Sequence, residues 1–219
     1  MNYIGGRLHI MCEAQEEVIM NLIVENLFSK IEFKDPSAFL IYHGKKDVAD
    51  HSKKVSIEAK RLARVFALDE LDAETAGAYH DISCVINNND FLEVAIAFGI
   101  CINSEENKVP LLLHQKISQV IANKYFGIDN TEVLNAIACH TTLKAKASKL
   151  DLVLFVADKL TWDYKENKVL IDNIRLGLET SLENGAYIFL NDLLDRRHEL
   201  SALHPDVEEA YFYLKEIIG

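Results

Sequence analysis

Hydrophobic residues recur every three or four positions along most of the chain, and no stretch alternates convincingly between apolar and polar residues. A period near 3.6 residues is typical of amphipathic α-helices, whereas a period of two would indicate strands. The pattern therefore predicts an all-α fold. We expect helices at about residues 13–30, 47–67, 72–85, 88–99, 110–126, 131–140, 149–159, 166–183, 185–198 and 206–218.

Polar and turn-forming residues separate these predicted helices. Asn130 and Ser148 suit the N-terminal cap of a helix, and Gly127 suits a C-terminal cap. The segment Asp35-Pro36-Ser37 is expected to begin a loop. Because no internal repeat or linker is visible, we predict one domain over residues 1–219.

Composition and charge narrow the classes of function. The chain has 23 Lys and Arg against 34 Asp and Glu, a formal net charge of −11. We therefore expect no nucleic-acid partner, since a binder of the phosphate backbone needs clustered basic residues. A small phosphorylated substrate is still compatible, because a bound metal can supply positive charge.

Membrane and secretory signals are not evident. No apolar run approaches the ~20 residues of a membrane-spanning helix, and the N-terminal residues lack a secretory pattern. The cysteines form no C-x-x-C pair and suit a reducing compartment. These features predict a cytoplasmic protein without a membrane partner. The four cysteines are Cys12, Cys84, Cys101 and Cys139.

Six ionisable residues lie on helix faces that are otherwise apolar. Any one of these histidines could be a hydrogen-bonded core residue, and either aspartate could pair with a neighbour or reach water. Together they are harder to explain, because burying an unpaired carboxylate costs several kcal/mol and buried charges are normally paired or bound to metal. The six are His51, His80, Asp81, His114, His140 and Asp158.

This set of side chains predicts a metal centre. Imidazole and carboxylate groups suit Fe, Mn or Zn. Six groups are more than one tetrahedral zinc needs, and they fit two metals that share a carboxylate. His80 and Asp81 are adjacent and point about 100° apart on a helix, so both reach one site if it lies between their directions.

The order H…HD…H…H…D, with the strings AETAGAYHDI around His80 and EVLNAIACHTT around His140, resembles the HD-domain phosphohydrolase superfamily. The closer resemblance is to its YqeK-like branch, the symmetrical diadenosine-tetraphosphate hydrolases. It spans about residues 43–162, the implied metal-site core, with residues 1–40 and 163–219 as helical extensions packed on it.

The resemblance implies two divalent transition metal ions, commonly iron, with manganese or another divalent metal as the alternative. Asp81 would be the catalytic residue that bridges them, and a bridging water or hydroxide would attack phosphorus. One metal would be held by His51, His80, Asp81 and Asp158. The other would be held by Asp81, His114 and His140.

Two departures from the family pattern leave the substrate open. Many members carry a lysine three residues after the HD aspartate, where this chain has Cys84, and the segment after Asp158 lacks the branch's acidic-Pro-x-Arg pattern. The leading hypothesis is symmetrical cleavage of diadenosine tetraphosphate to two ADP. The alternatives are hydrolysis of a nucleoside phosphate, cyclic dinucleotide or alarmone, and a non-catalytic sensor that binds metal or nucleotide.

Several polar residues near the six are candidate substrate contacts. Their hydroxyl or ammonium groups could meet phosphate, and the single tryptophan could stack on a base, although each could instead serve packing or face solvent. The candidates are Thr141, Thr142, Lys144, Lys159 and Trp162. The apolar stripe of the last helix, from Val207 to Ile218, is expected to be a core face or a homodimer face.

Overall fold

The protein is described here by a computed structural model that covers residues 28, 34–162 and 168–219. These residues form helices and connecting turns, with no strand among them, so the predicted all-α class is confirmed. The helices are α1 (Pro36–Tyr42), α2 (Lys46–Val65), α3 (Glu70–Tyr79), α4 (Phe91–Ala97), α5 (Ser104–Lys108), α6 (His114–Lys124), α7 (Thr131–Cys139), α8 (Lys149–Thr161), α9 (Lys168–Leu178), α10 (Leu182–Asp195) and α11 (Pro205–Ile218). Short 3-10 turns span Ile82–Val85, Asn88–Asp90, Pro110–Leu113 and Arg197–Glu199.

Side-chain caps define several helix starts where the sequence predicted them. The Asn130 side chain accepts from the first backbone N–H groups of α7. Ser148 and Asp151 form a reciprocal capping box at the start of α8. Gly127, just beyond α6, has a φ of +71°, the left-handed conformation that glycine adopts at low cost.

Three sequence-based boundaries were wrong, and the short helix α5 was not predicted. The helix expected over 72–85 ends at Tyr79, and a 3-10 turn follows at Ile82–Val85. Asp35 caps α1 and Pro36 occupies its first turn, so the expected loop is a helix; proline at that position loses no helical hydrogen bond. The helix expected over 166–183 ends at Leu178, because Ser181 caps the next helix. The predicted helix 13–30 lies outside the described residues, apart from Phe28.

Helix α8 is the centre of the fold. Every residue from Leu150 to Leu160 is buried, because α2, α3, α7, α9 and α10 all pack around it. The apolar stripe of α11 packs into the same core through Val207, Ala210 and Leu214. Asp158 and Lys159, near the end of α8, are therefore carried into the interior.

A second core cluster is built from α1, α4 and the turn at Ile82–Val85, and includes Phe28 and Phe39. It supports the segments on either side of Asp81 and His114. Within the described part of the chain, no helix has both the length and the apolar composition needed to cross a bilayer.

Candidate metal centre

The six predicted ligand residues come from five helical segments and meet at one place. Each lies within a helix or within two residues of a helix end. They are His51 within α2, His80 and Asp81 after α3, His114 at the start of α6, His140 after α7, and Asp158 near the end of α8.

A first group of ligand atoms surrounds one oxygen of Asp158. Asp158 Oδ1 lies 3.0 Å from His51 Nε2 and 3.6 Å from His80 Nε2. His80 and Asp158 are buried, whereas the side chain of His51 keeps 22% of its exposure. The three atoms lie close enough together to bind one metal ion.

A second group surrounds Asp81. Its Oδ1 lies 3.5 Å from both His114 Nε2 and His140 Nε2, and those two nitrogens are 3.0 Å apart. Its Oδ2 lies 3.3 Å from His80 Nε2. His80 thus stands between the two groups, and its Nε2, Asp81 and His140 also form a set that could hold an ion.

Three of the histidines are oriented by the carbonyl oxygen three residues earlier. His80 Nδ1 lies 2.8 Å from the Gly77 oxygen, and His140 Nδ1 lies 2.8 Å from that of Ile137. His114 Nδ1 contacts the Leu111 oxygen at 2.7 Å. Since a carbonyl only accepts, each Nδ1 carries the proton, and in a neutral ring the Nε2 lone pair faces the centre.

This arrangement fits a bound cation. The buried His80 Nε2 has no hydrogen-bond partner of suitable geometry among the described residues. The facing Nε2 atoms of His114 and His140 repel each other when both are unprotonated. A divalent metal would satisfy all three nitrogens and the nearby carboxylates. The described residues therefore include histidine and aspartate clusters able to hold metal, as the sequence predicted.

Burial and mutual charge perturb the pKa values of the site. Burial alone would raise the pKa of Asp81, but the positive charge of the neighbouring His80 holds that pKa well below its usual range. Burial would likewise raise the pKa of Asp158, but the charge of Lys159, together with the hydrogen bond to His51, keeps that pKa well below its usual range. Both carboxylates are therefore ionised.

The pKa values of two imidazoles, those of His140 and His80, shift in opposite directions. Burial lowers the pKa of His140 to about 4, so its ring is neutral. Burial also opposes the charged form of His80, but Asp81 and Asp158 outweigh it and raise the pKa of His80 to about 10. Without a metal, one proton thus takes the place of the positive charge that the carboxylates require.

A cavity of about 530 Å³ opens beside the first group of ligand atoms. Its lining includes His51, Asp81 and Trp162. The Trp162 side chain is 54% exposed, and its ring centre lies 6.0 Å from that of His51. A flat apolar ring therefore borders the approach to the ligand atoms.

The candidate substrate contacts occupy different places. Thr141 Oγ1 lies 3.1 Å from His114 Nε2, inside the centre. Thr142 is buried and bonded to protein atoms, and Lys144 pairs with Asp151 at 3.0 Å. Lys159 is buried behind Asp158. The structure thus brings Thr141 and Trp162 to the site, and we base no substrate contact on the other three.

Sequence reasoning missed two residues at the site. Gln115 is buried; its Oε1 accepts from the Thr141 N–H at 3.0 Å, and its Nε2 donates to Thr142 Oγ1 at 3.1 Å. It thereby ties the start of α6 to the segment after His140. Lys54 lines the cavity, three residues after His51 and thus on the same face of α2. That spacing was the signal available in the sequence.

Comparison with known proteins agrees with this geometry. The model of the HD domain family matches residues 48–163. A Lactococcus lactis subsp. cremoris relative, the "uncharacterized protein in pepC 5' region", is 36% identical over 143 residues, which is 65% of this chain and 72% of the relative. A Halalkalibacterium halodurans protein named "Bis(5'-nucleosyl)-tetraphosphatase, symmetrical" is 26% identical over 169 residues, 74% of this chain and 85% of that protein.

A solved structure shares the fold. It is the crystal structure of a predicted HD superfamily hydrolase involved in NAD metabolism from Clostridium acetobutylicum, with a TM-score of 0.77 and 25% identity. The match covers 83% of this chain and 96% of the other. The family match covers more than half of the chain and contains all six ligand residues. The chain therefore belongs to the HD domain family of phosphohydrolases.

Proposed function

We propose that this protein cleaves diadenosine tetraphosphate symmetrically into two ADP molecules. The observation that carries the proposal is the pair of ligand groups that meet at His80, beside a cavity bordered by an exposed tryptophan. The name of the Halalkalibacterium relative, a symmetrical tetraphosphatase, supports the choice of substrate.

We assign two divalent transition metal ions to the six residues, iron first and manganese as the alternative. When bound, such ions acidify a water molecule toward neutral pH and offset charge on phosphoryl oxygens. Asp81 is the catalytic residue in this assignment. Its two oxygens face different partners, His80 on one side and the His114–His140 pair on the other, so it is the carboxylate placed to serve both metal positions.

The cavity and the neighbouring ligand residues offer contacts that suit a dinucleotide polyphosphate. Trp162 presents a ring face on which a base can stack, and Thr141 offers a hydroxyl beside His114 for a phosphoryl oxygen. Lys54 is the only Lys or Arg among the described residues that line the cavity. Asp47 and Asp50 also line it and repel phosphate there, which directs the polyphosphate toward the ligand atoms.

Product analysis tests the proposal directly. Protein purified without chelator is supplied with Fe(II) or Mn(II) and diadenosine tetraphosphate, and the products are separated by chromatography. ADP alone is the expected result. AMP with ATP would contradict symmetrical cleavage. Asp81→Ala should abolish turnover, and Asp172→Asn, which removes an exposed carboxylate on α9, should leave turnover unchanged.

A second candidate is hydrolysis of a different nucleotide. The Clostridium structure, whose title places that protein in NAD metabolism, favours it. A stacking tryptophan and a metal centre do not by themselves select the length of the phosphate chain. A screen of nucleoside phosphates, cyclic dinucleotides and dinucleotides under the same conditions separates the two candidates. Binding without product from any of them would instead indicate a sensor.

A further inference from the structure

Lys159 is a buried lysine behind the candidate metal centre. It directly follows Asp158 on α8, and only 4% of its surface is exposed. Its Nζ donates to Asp158 Oδ2 at 2.7 Å and to the His140 carbonyl oxygen at 3.2 Å. A charged side chain is rarely buried unless it is paired and hydrogen-bonded, and both partners of Lys159 belong to candidate ligand residues.

Two aromatic rings complete the surroundings of this ammonium group. Its Nζ lies 5.0 Å from the ring centre of Phe155, one turn earlier on α8, and 5.4 Å from that of Phe189 on α10. An ammonium has three donors, and ring faces attract a cation. Oxygens on one side and rings on the other therefore fix the position of Nζ.

The two carboxylate oxygens of Asp158 have different partners. Oδ2 is engaged by the ammonium, whereas Oδ1 faces His51 Nε2 and His80 Nε2. We propose that Lys159 is a positioning residue that makes Asp158 a metal ligand through Oδ1 alone and ties the two ligand groups together. This inference rests on the proposed metal site and adds a role for a residue outside the ligand set.

The link between the two ligand groups rests on the hydrogen bond from Lys159 to the His140 carbonyl oxygen. This oxygen lies at the C-terminal end of α7, where the last carbonyl groups have no partner within the helix. The His140 imidazole belongs to the group around Asp81, whereas Asp158 belongs to the other group. One ammonium thus connects both groups, and its loss should free Asp158 to rotate and use both oxygens.

The test replaces Lys159 by methionine, which keeps the length of an unbranched side chain and removes the charge. The matched control is Lys149→Met, which removes an exposed lysine from the first turn of the same helix. Co(II) is titrated into each metal-free protein, and binding is followed by visible d–d absorption. A change from one-oxygen to two-oxygen binding raises the coordination number and weakens these bands.

For Lys159→Met we expect one of two binding events to weaken by about 10- to 100-fold, the range seen when a group that orients a ligand is lost. The d–d bands of that ion should also lose intensity. Lys149→Met should match the wild type. Lys159→Arg, which keeps the charge, should restore most of the affinity, and a loss as large as that of methionine would overturn the proposal.

Wild-type affinity and an unchanged spectrum in folded Lys159→Met would also overturn it. If methionine prevents folding, Lys159→Gln, which keeps a donor and removes the charge, is titrated in its place and judged by the same two outcomes. A wild-type protein that binds no metal would refute the proposed function itself. Metal binding without nucleotide turnover would refute the substrate and leave the role of Lys159 standing.

Discussion

Helix α2, which carries His51, and helix α3, which His80 follows, approach each other closely at Gly77. This contact provides a test of how the fold positions the site. A Cβ added at Gly77 would lie 2.6 Å from Ser56 Cα and 2.7 Å from Ser56 N, both backbone atoms of α2. Backbone atoms cannot move aside as the end of a flexible side chain can. Gly77→Ala should therefore push α3 away from α2.

The size of the effect follows from these distances. Ordinary contact begins near 3.4 Å, so the helices must separate by roughly 0.8 Å at this point. Overpacking of a well-packed core costs about 1–3 kcal/mol, and the better helix propensity of alanine returns about 0.5–1 kcal/mol. The net loss is up to about 2.5 kcal/mol, with a central value of about 1.3 kcal/mol. That central value lowers the Tm of a domain of this size by about 3–5 °C.

The displacement of α3 should also change the geometry of the candidate metal centre. The Gly77 carbonyl oxygen orients His80 through Nδ1, and His80 stands between both ligand groups. We therefore expect Gly77→Ala to weaken metal binding by about 10- to 100-fold. Thermal unfolding of the metal-free protein measures the packing effect, and competition with a chelator measures the affinity.

Gly185→Ala is the matched control, because the added Cβ would meet mainly the flexible side chain of Leu178. It should change the free energy of unfolding by less than about 1 kcal/mol, since a side chain can adjust its rotamer, and it should leave metal affinity unchanged. An unchanged or higher Tm for Gly77→Ala would refute the close approach. A lower Tm with wild-type metal affinity would show that the α2–α3 contact at Gly77 does not control the position of His80.

Three further predictions concern the site and the core. Asp81→Asn should reduce the metal content measured by elemental analysis, because the amide removes the charge that faces His80 and the His114–His140 pair. Trp162→Ala should raise KM for a dinucleotide about 10-fold with little change in kcat, because base stacking contributes about 1–3 kcal/mol. Burial would raise the pKa of Glu106, but His204 and Lys116 lower it to about 2, so its stabilising effect is complete above its ordinary pKa and is lost as pH falls toward 2. The destabilisation caused by Glu106→Gln, measured by urea unfolding, should therefore shrink by about 1 kcal/mol between pH 7 and pH 4.

The sequence predicted the meeting of the six ligand residues because their helix faces can be read from spacings of three and four. His51 shares a face with Val55 and Ala59, both buried against α8, so its direction followed from the pattern. The order H…HD…H…H…D then indicated the other five ligand residues. No spacing, by contrast, indicated that Asp158 and Lys159 would bind each other inside the core.

The surroundings of Lys159 and His204 depend on residues distant in sequence, which the local pattern does not reveal. A lysine near a helix end is typical of a solvated cation, yet Lys159 is buried because α10 supplies Phe189 from thirty residues away. Similarly, no sequence pattern pointed to His204, yet its side chain caps α11 and its Nε2 lies 3.3 Å from Oε1 of Glu106, 98 positions earlier. Contacts between residues so distant in sequence are set by packing, which one sequence does not reveal.

The charges of the centre are compatible with the proposed polyphosphate substrate, although the chain as a whole is acidic. Asp81 and Asp158 carry two negative charges, and Lys159 returns one positive charge. Once a metal has displaced the proton of His80, the imidazoles are neutral and these protein groups sum to minus one. A negative buried site attracts cations. With two divalent ions it becomes positive by three, which opposes the charge of a phosphate chain at contact distance. The chain's net charge of −11 acts mainly over longer distances, where salt screens it within about 10 Å. A phosphate group at contact distance therefore meets the local charge, which is set by Asp81 after α3 and by Asp158 and Lys159 on α8.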